Sequence, residues 1–447
     1  MSEHTEARGA VTLLQRLVDI RPEETRAVVL SGAYFFFILS SYYILRPIRD
    51  EMGAAGGVEN LPWLFTGTLF GMLLAQPLFA TLVARVPRRT FIPVTYRFFM
   101  LNLLAFYLAL RMLPEAQHVW IGRVFFVWAS VFNLFVVSVF WAFMADLFRR
   151  EQGKRLFAFI GLGGTIGAIT GAGLTAFFVQ RVGAMNMLFV SIAFIEFGVW
   201  CVIALGRLAR RTAHEPEPGH EAEDGERTIG GSSWAGVTHV LRSPYLLGIC
   251  LYMLLFTIGS TVLYIAQADI INRHFTDTDQ RTAFFASLDL AVNILTLVTQ
   301  AFLTGRILRW LGVAITLSLL PALSVLGFLA LGIVPTLTVF VVFQVLRRAG
   351  NYAVARPTRE VLFTVVPREE KYKAKSFIDT FVYRTGDQVG AWSYAGLLAL
   401  GLGMSTISLI AVPISAAWLA TSLWLGRTQA RMRDPREPAA PQPASIA

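Results

Sequence analysis

GAYFFFILSSYYILRPIRDEMG (32–53) runs for fourteen residues without a charged side chain and then places Arg46, Arg49, Asp50 and Glu51 close together. An apolar run of about 20 residues is what a helix needs to cross a bilayer. The run 27–46, which contains most of this stretch, is the first of twelve. The others cover 61–84, 90–112, 119–146, 156–179, 184–207, 243–268, 281–304, 310–333, 336–363, 376–399 and 402–425. Only helices and closed barrels satisfy the backbone in lipid, and a barrel would show short alternating segments instead of long continuous runs. With 55% hydrophobic and 15% charged residues and a mean hydropathy of +0.57, the chain reads as an all-α, polytopic membrane protein with twelve transmembrane helices. Its first partner is therefore the lipid bilayer.

The net charge of +10 follows the membrane. Arg46, Arg49, Arg111, Arg123, Arg181, Arg273 and Arg281 fall in the connections opposite the N-terminus, whereas most of the 39 Lys and Arg fall on the N-terminal side. By the positive-inside rule both termini are cytoplasmic. No basic, aromatic-laced soluble domain is present to host a nucleic acid. Residues 1–26 lack an apolar stretch with a small-residue cleavage site, so no removable signal is expected there. TLLQRLVDI (12–20) is patterned for a short helix lying on the membrane. Cys201 and Cys250 read as small core residues inside spans and imply no disulfide framework. The six histidines show no ligand spacing. No metal, cofactor, nucleophile triad or catalytic dyad is implied, and the chain is not expected to be an enzyme.

ARRTAHEPEPGHEAEDGERTIGGSSWA (209–235) is charged, rich in Pro and Gly, and has no apolar period. It reads as a disordered cytoplasmic linker. The expected organisation is an N-terminal segment 1–26, a six-helix bundle 27–208, the linker 209–240, a second six-helix bundle 241–426 and a tail 427–447. REQGKRLFAFI (150–160) aligns with REEKYKAKSFI (368–378) at an offset of 218, each after the fourth span of its half. Two parallel six-helix repeats resemble the plan of the major facilitator superfamily, which alternates access by rocking one half against the other.

Charges inside the spans locate candidate sites. A basic side chain at the bilayer centre costs roughly 2.5–3.5 kcal/mol on insertion scales. The tenth span, VFQVLRRAGNYAVARPTREVLF (342–363), carries Arg347, Arg348, Arg356 and Arg359 with Glu360. At about 100° per residue, Arg348, Tyr352, Arg356 and Arg359 fall within an arc of roughly 80°. Guanidinium forks match phosphate or carboxylate oxygens and stay charged when buried, so this stripe suits an anionic substrate, with Tyr352 stacking or donating its hydroxyl. Arg348 is the leading ligand contact, Arg356 and Arg359 are nearer a gate, and Arg347 points away as a structural residue. Pro357 interrupts the helix. The competing reading is that these arginines only pair with acids, among them Asp146, Glu360, Asp379, Asp387, Asp269 and Asp289. In the eleventh span Arg384 and Asp387 are spaced to pair on one face, and Asp379 can bridge to the tenth helix. Arg97 and Glu196 are single intramembrane charges. On the first helix Tyr42, Arg46 and Arg49 lie within about 60°, with Asp50 at the edge. They are expected to line the cavity, unless Pro47 ends the helix. GLGGTIGAITGAG (161–173) lacks the spacing of a phosphate loop, and its small residues suit close helix packing.

Four blocks resemble the ATP/ADP translocases, the nucleotide antiporters of plastids and intracellular bacteria. YYILRPIRD (42–50) is similar to that family's Y-x-I-L-R-x-x-K-D, with Arg49 in place of Lys. FWAFMADLFRREQGKRLFAFIGLGG (140–164) resembles F-W-x-F-A-N-E…A-K-R-x-Y-x-x-F-G-L-G-A, with Asp146 as the acid. NYAVARPTRE (351–360) resembles K-Y-S-L-F-D-P-T-K-E, and KYKAKSFID (371–379) resembles K-x-K-G-K-A-x-I-D, keeping Lys371, Lys373, Lys375 and Asp379. The resemblance implies a major-facilitator-like exchanger in the cytoplasmic (inner) membrane of a bacterium. Its matching functional positions are Arg46, Arg49, Asp146, Glu360 and the Lys371–Lys375 cluster. Arg356 stands where the family has Asp, and Asn351 where it has Lys. The expected function is transport of an anionic, nucleotide-like metabolite by a monomer. The alternatives are a proton-coupled exporter of cationic or lipophilic compounds, using acids such as Asp146, Asp289 and Asp379, and a membrane scaffold without a transport cycle.

Overall fold

The computed structural model describes residues 21–85, 88–148, 150–212, 240, 243–367, 374, 375 and 377–432. The surface helix expected at 12–20, the linker between 213 and 239, the tail from 433, and Lys371 and Lys373 lie outside the described residues. Among the described residues there is no strand. The helices are α1 Thr25–Ala55, α2 Leu61–Arg85, α3 Arg88–Met112, α4 Glu115–Leu147, α5 Arg150–Val182, α6 Ala184–Thr212, α7 Pro244–His274, α8 Thr278–Phe302, α9 Thr304–Ile333, α10 Leu337–Gly350, α11 Arg356–Leu362, α12 Tyr383–Ala399 and α13 Met404–Met432. A π turn, Asn351–Ala355, joins α10 to α11, and a second, Ile378–Val382, leads into α12. Among the described residues, counting α10 and α11 as one gives twelve rods in chain order, and nine helices are by themselves long and apolar enough to cross a membrane. The chain divides into two compact units, Met1–Glu223 with Gln267–Ile294, and Asp224–Ala266 with Leu295–Ala447. The divisions fall inside α7 and α8 as well as in the linker.

The first rod outruns its expected end at residue 46. Pro47 lies inside α1 and is buried. A proline removes one helical hydrogen bond, which membrane helices tolerate where neighbours re-satisfy the freed group. Arg46, Arg49, Asp50 and Glu51 consequently sit on the helix and not beyond it.

Apolar burial cannot drive helix association when lipid tails are equally apolar, so small residues that let backbones approach do much of the work. In the first unit Gly163, Gly167 and Gly171 of α5 face the carbonyls of Gly32, Phe36 and Ser40 of α1 so closely that a Cβ at any of them would collide with backbone. Ser40 Oγ donates to the Gly167 carbonyl at 3.1 Å. The 161–173 stretch is thus a packing ridge. In the second unit Gly386 and Gly390 of α12 play the same part against Leu254, Thr257 and Ile258 of α7. Within each half, the first and fifth rods therefore meet through small residues. Ile160 and Ile378 are 218 positions apart, whereas Gly167 and Gly386 are 219 apart. The π turn Ile378–Val382 lies at that step, and a π turn takes up one residue more than an α turn.

The tenth rod widens into a π turn just before Pro357. Proline has no N–H to offer the carbonyl four residues back, which belongs to Ala353. Thr304 Oγ1, at the start of α9, donates to that carbonyl at 2.8 Å, and Gln300 Nε2 near the end of α8 donates to the Tyr352 carbonyl at 3.1 Å. These two donors satisfy carbonyls within the π turn.

Two stability measurements on detergent-solubilised protein check this packing. Gly167→Ala forces backbone apart and should cost about 1–3 kcal/mol, as overpacking does. Gly161→Ala has nothing within 4 Å of the new Cβ and should gain up to about 1 kcal/mol from helix propensity. Thr304→Val leaves the Ala353 carbonyl unsatisfied and should cost about 1–3 kcal/mol. Pro357→Ala restores an N–H beside it, so the Thr304→Val loss should shrink in that background. Additive losses would contradict the capping role.

Candidate functional site

In the first unit the cations of α1 meet carboxylates. Arg46 Nε lies 3.4 Å from Asp289 Oδ2 of α8 and 3.9 Å from Asp50 Oδ2. Arg49 donates Nε to Asp50 Oδ1 at 2.9 Å, and its Nη1 reaches Ser130 Oγ at 3.4 Å. Its guanidinium also lies 4.9 Å from the Phe126 ring centroid. Asp50 and Asp289 are both buried. Tyr42, placed with these arginines by the helical projection, is buried and edge-on to Tyr43. Asp146 is exposed near the end of α4.

Partners that sequence spacing does not reveal complete this end of α1. Buried Glu51 accepts from Arg281 Nε at 3.1 Å and Nη2 at 2.7 Å, and Asn272 Nδ2 donates to the Ala54 carbonyl at 2.7 Å. More than two hundred positions separate these residues, and no motif links them. Arg97 and Glu196, which the sequence marks separately, form one ion pair at 2.8 Å, with Trp200 Nε1 donating to Glu196 at 3.0 Å.

The second unit is different. Arg347 is 3% exposed and has only neutral partners: Nε donates to Ser324 Oγ, Nη1 to Ser260 Oγ and Nη2 to the Phe256 carbonyl, at 3.1, 3.0 and 3.2 Å. The Phe256 and Trp418 rings flank it. It pins α7, α9 and α10 together. Arg348 and Tyr352 are half-buried, and Arg356 is exposed, without an ion pair among the described residues. The uniform 100° step used to align Arg348 with Arg356 and Arg359 does not hold across the π turn. These residues flank a π turn and do not form one straight stripe.

Beyond the π turn, two ion pairs join the tenth and eleventh rods. Arg359 Nη2 lies 3.4 Å from Asp379 Oδ1, and Lys375 Nζ donates to Glu360 Oε2. Arg384 pairs with Asp387 at 3.2 Å, as its three-residue spacing predicts, and Thr261 Oγ1 donates to the same buried carboxylate at 3.1 Å.

Glu24, just before α1, escaped the sequence reading. Its carboxylate accepts from Gln152 Nε2 at 2.8 Å, Arg155 Nη2 at 2.9 Å and the Arg21 backbone N–H at 3.1 Å. Burial opposes its ionisation, but these hydrogen bonds and the charge of Arg155 outweigh that and hold the carboxyl below its ordinary range. A carboxyl depressed by folding stabilises above its unfolded value and loses that stabilisation as pH falls through the folded value. Glu24→Gln should therefore lower the melting temperature at pH 7, and the gap to the parent protein should close as the pH drops through the carboxylate range. A gap of constant size would mean that the charge contributes nothing.

The chain is 21% identical to ADP,ATP carrier protein 1 of Chlamydia pneumoniae, with 95% of each chain covered. It is 22% identical to ADP,ATP carrier protein 1 of Chlamydia trachomatis, over 72% of this chain and 69% of that one. Among solved structures, a POT family transporter in complex with a thioalcohol-conjugated peptide superposes with a TM-score of 0.62 at 11% identity, over 92% of this chain and 97% of that one. A bacterial homologue of the human lysosomal transporter Spinster gives 0.58 at 15% identity, over 94% and 100%. The model of the Major Facilitator Superfamily matches residues 27–386. Long apolar helices, packed through small residues and carrying charge inside the membrane, agree with that match, and the chain belongs to the Major Facilitator Superfamily as a multi-pass membrane transporter.

Proposed function

We propose that this transporter exchanges anionic nucleotides across a bacterial inner membrane by alternating access. The observation that carries the reading is a surplus of positive charge on the tenth rod. Arg347 and Arg356 have no carboxylate among the described residues, although a lone cation inside a bilayer is expensive. A bound anion relieves that cost, and a guanidinium fork engages two phosphate oxygens at once. Arg347 is too deeply buried to touch a substrate, and it contributes a fixed positive potential. Arg348 and Arg356, on either side of the π turn, are the substrate contacts in this reading, with Tyr352 between them positioned to stack on a base. The Arg359–Asp379 and Lys375–Glu360 pairs act as a gate whose ions re-pair during the cycle. Arg46 and Arg49 contribute from α1 when Asp50 or Asp289 releases them.

The names of the ADP,ATP carrier relatives and the four matching sequence blocks support a nucleotide. Arg356 in place of the family's Asp, and Asn351 in place of its Lys, move positive charge along the rod without removing it. This reading expects specificity to shift among phosphorylated compounds and expects anions still to be selected.

Purified protein in liposomes should take up labelled ATP, with stimulation by internal ADP and indifference to a collapsed proton gradient. Loss of one charge-assisted contact is worth about 1.5–3 kcal/mol, so Arg356→Ala and Arg348→Ala should each weaken apparent affinity roughly 10- to 100-fold. Unchanged uptake in the double variant would remove these residues from the site. Uptake of organic cations in place of any nucleotide or phosphorylated anion would overturn the function.

A further inference from the structure

Arg123 is a cation that the transport reading does not use. It lies on α4, its guanidinium carbon 4.4 Å from the Trp120 ring centroid. Its Nε is buried without a hydrogen-bond partner, and no acid pairs with it among the described residues. The residue borders a groove of about 600 Å³ between α2 and α4, lined by Trp63, Leu64, Gly67 and Trp128. Trp128 Nε1, in the same lining, is a second buried donor without a partner. On the other side of Trp120 and Val124, a second groove of about 600 Å³ runs between α3 and α4 along Phe98, Leu101 and Phe106. Trp120 and Val124 line both grooves and form the ridge between them.

Depth along the helix identifies what this ridge faces. α4 has 33 residues, about 50 Å at 1.5 Å per residue, against a hydrocarbon thickness of about 30 Å. Roughly 10 Å is left over at each end. Arg123 lies eight residues into α4, about 12 Å from its start, and so close to the boundary between acyl chains and headgroups. Its side chain leans back over Trp120, toward the helix start, as a snorkelling arginine does. Trp63 and Trp120 are 64% and 65% exposed, and tryptophan favours this depth.

We infer that the Arg123–Trp120 ridge is a binding site for an anionic diacyl phospholipid, with the phosphate on Arg123 and one acyl chain in each flanking groove. An unpaired guanidinium at headgroup depth selects a negatively charged oxygen. The apolar walls on both sides give a soluble anion nothing to bury, which disfavours free phosphate. Two grooves astride one charged ridge match a ligand with one charged head and two apolar chains. The site is separate from the tenth-rod arginines and stands or falls independently of the transported substrate.

Native mass spectrometry of the detergent-solubilised protein with equimolar phosphatidylglycerol and phosphatidylcholine tests this. The anionic lipid should be retained roughly fivefold over the zwitterionic one, the preference expected of one basic residue near a membrane surface. Arg123→Gln should abolish the preference, while any effect of inorganic phosphate on the melting temperature should be the same in the parent protein and in Arg123→Gln. Equal retention of the two lipids, or a preference that survives Arg123→Gln, overturns the site; a melting-temperature rise with phosphate that Arg123→Gln removes overturns the lipid assignment. Should Arg123→Gln fail to fold, acyl-brominated lipids on the parent protein decide. Brominated phosphatidylglycerol should quench tryptophan fluorescence more than brominated phosphatidylcholine, and equal quenching would refute the proposal.

Discussion

A carbonyl released by its own helix inside a bilayer has no water to turn to, and the tenth rod is built around that constraint. Pro357 withholds the hydrogen bond that Ala353 would receive, and the chain answers with a π turn and with donors from Thr304 and Gln300. An unsatisfied carbonyl at this depth would cost several kcal/mol. The relative placement of Arg348, Tyr352, Arg356 and Arg359 depends on that turn, so a neutral hydroxyl on a neighbouring helix decides where charged side chains point. π turns often mark functional stretches, and the two among the described residues occur on rods that carry intramembrane charge.

The second π turn says something about the repeat. The two halves align at one offset before Ile378–Val382 and at an offset one residue longer after it, so that Gly386 and Gly390 stand where Gly167 and Gly171 stand in the first half. A single added residue in an α-helix would otherwise rotate every later side chain by about 100°. Absorbed in a wide turn, it leaves the glycine ridge facing α7 and the backbone contact intact.

Charge is handled differently in the two units. On α1, Arg46, Arg49 and, across from Glu51, Arg281 are met by buried carboxylates. Removing one member of such a pair leaves an uncompensated charge, which is why buried pairs resist change. The second unit holds Arg347 among hydroxyls, a carbonyl and aromatic rings, and leaves Arg356 exposed. That imbalance is the basis for reading the transported species as an anion.

The helical, membrane-spanning architecture was legible in the sequence because long apolar runs admit one backbone solution in lipid. The local pair Arg384–Asp387 was legible because helical spacing alone sets it, and the glycine ridge because nothing but close packing explains small residues at those intervals. Tertiary structure alone decided the rest. Glu51 with Arg281, Glu24 with Arg155, and Thr304 with Ala353 are encounters between distant segments, and a one-dimensional pattern carries no distance between helices. The angular order of the tenth-rod residues was not legible for a related reason. A fixed angular step presumes a uniform helix, and whether a helix stays uniform past a proline is settled by the neighbours that supply its missing hydrogen bonds.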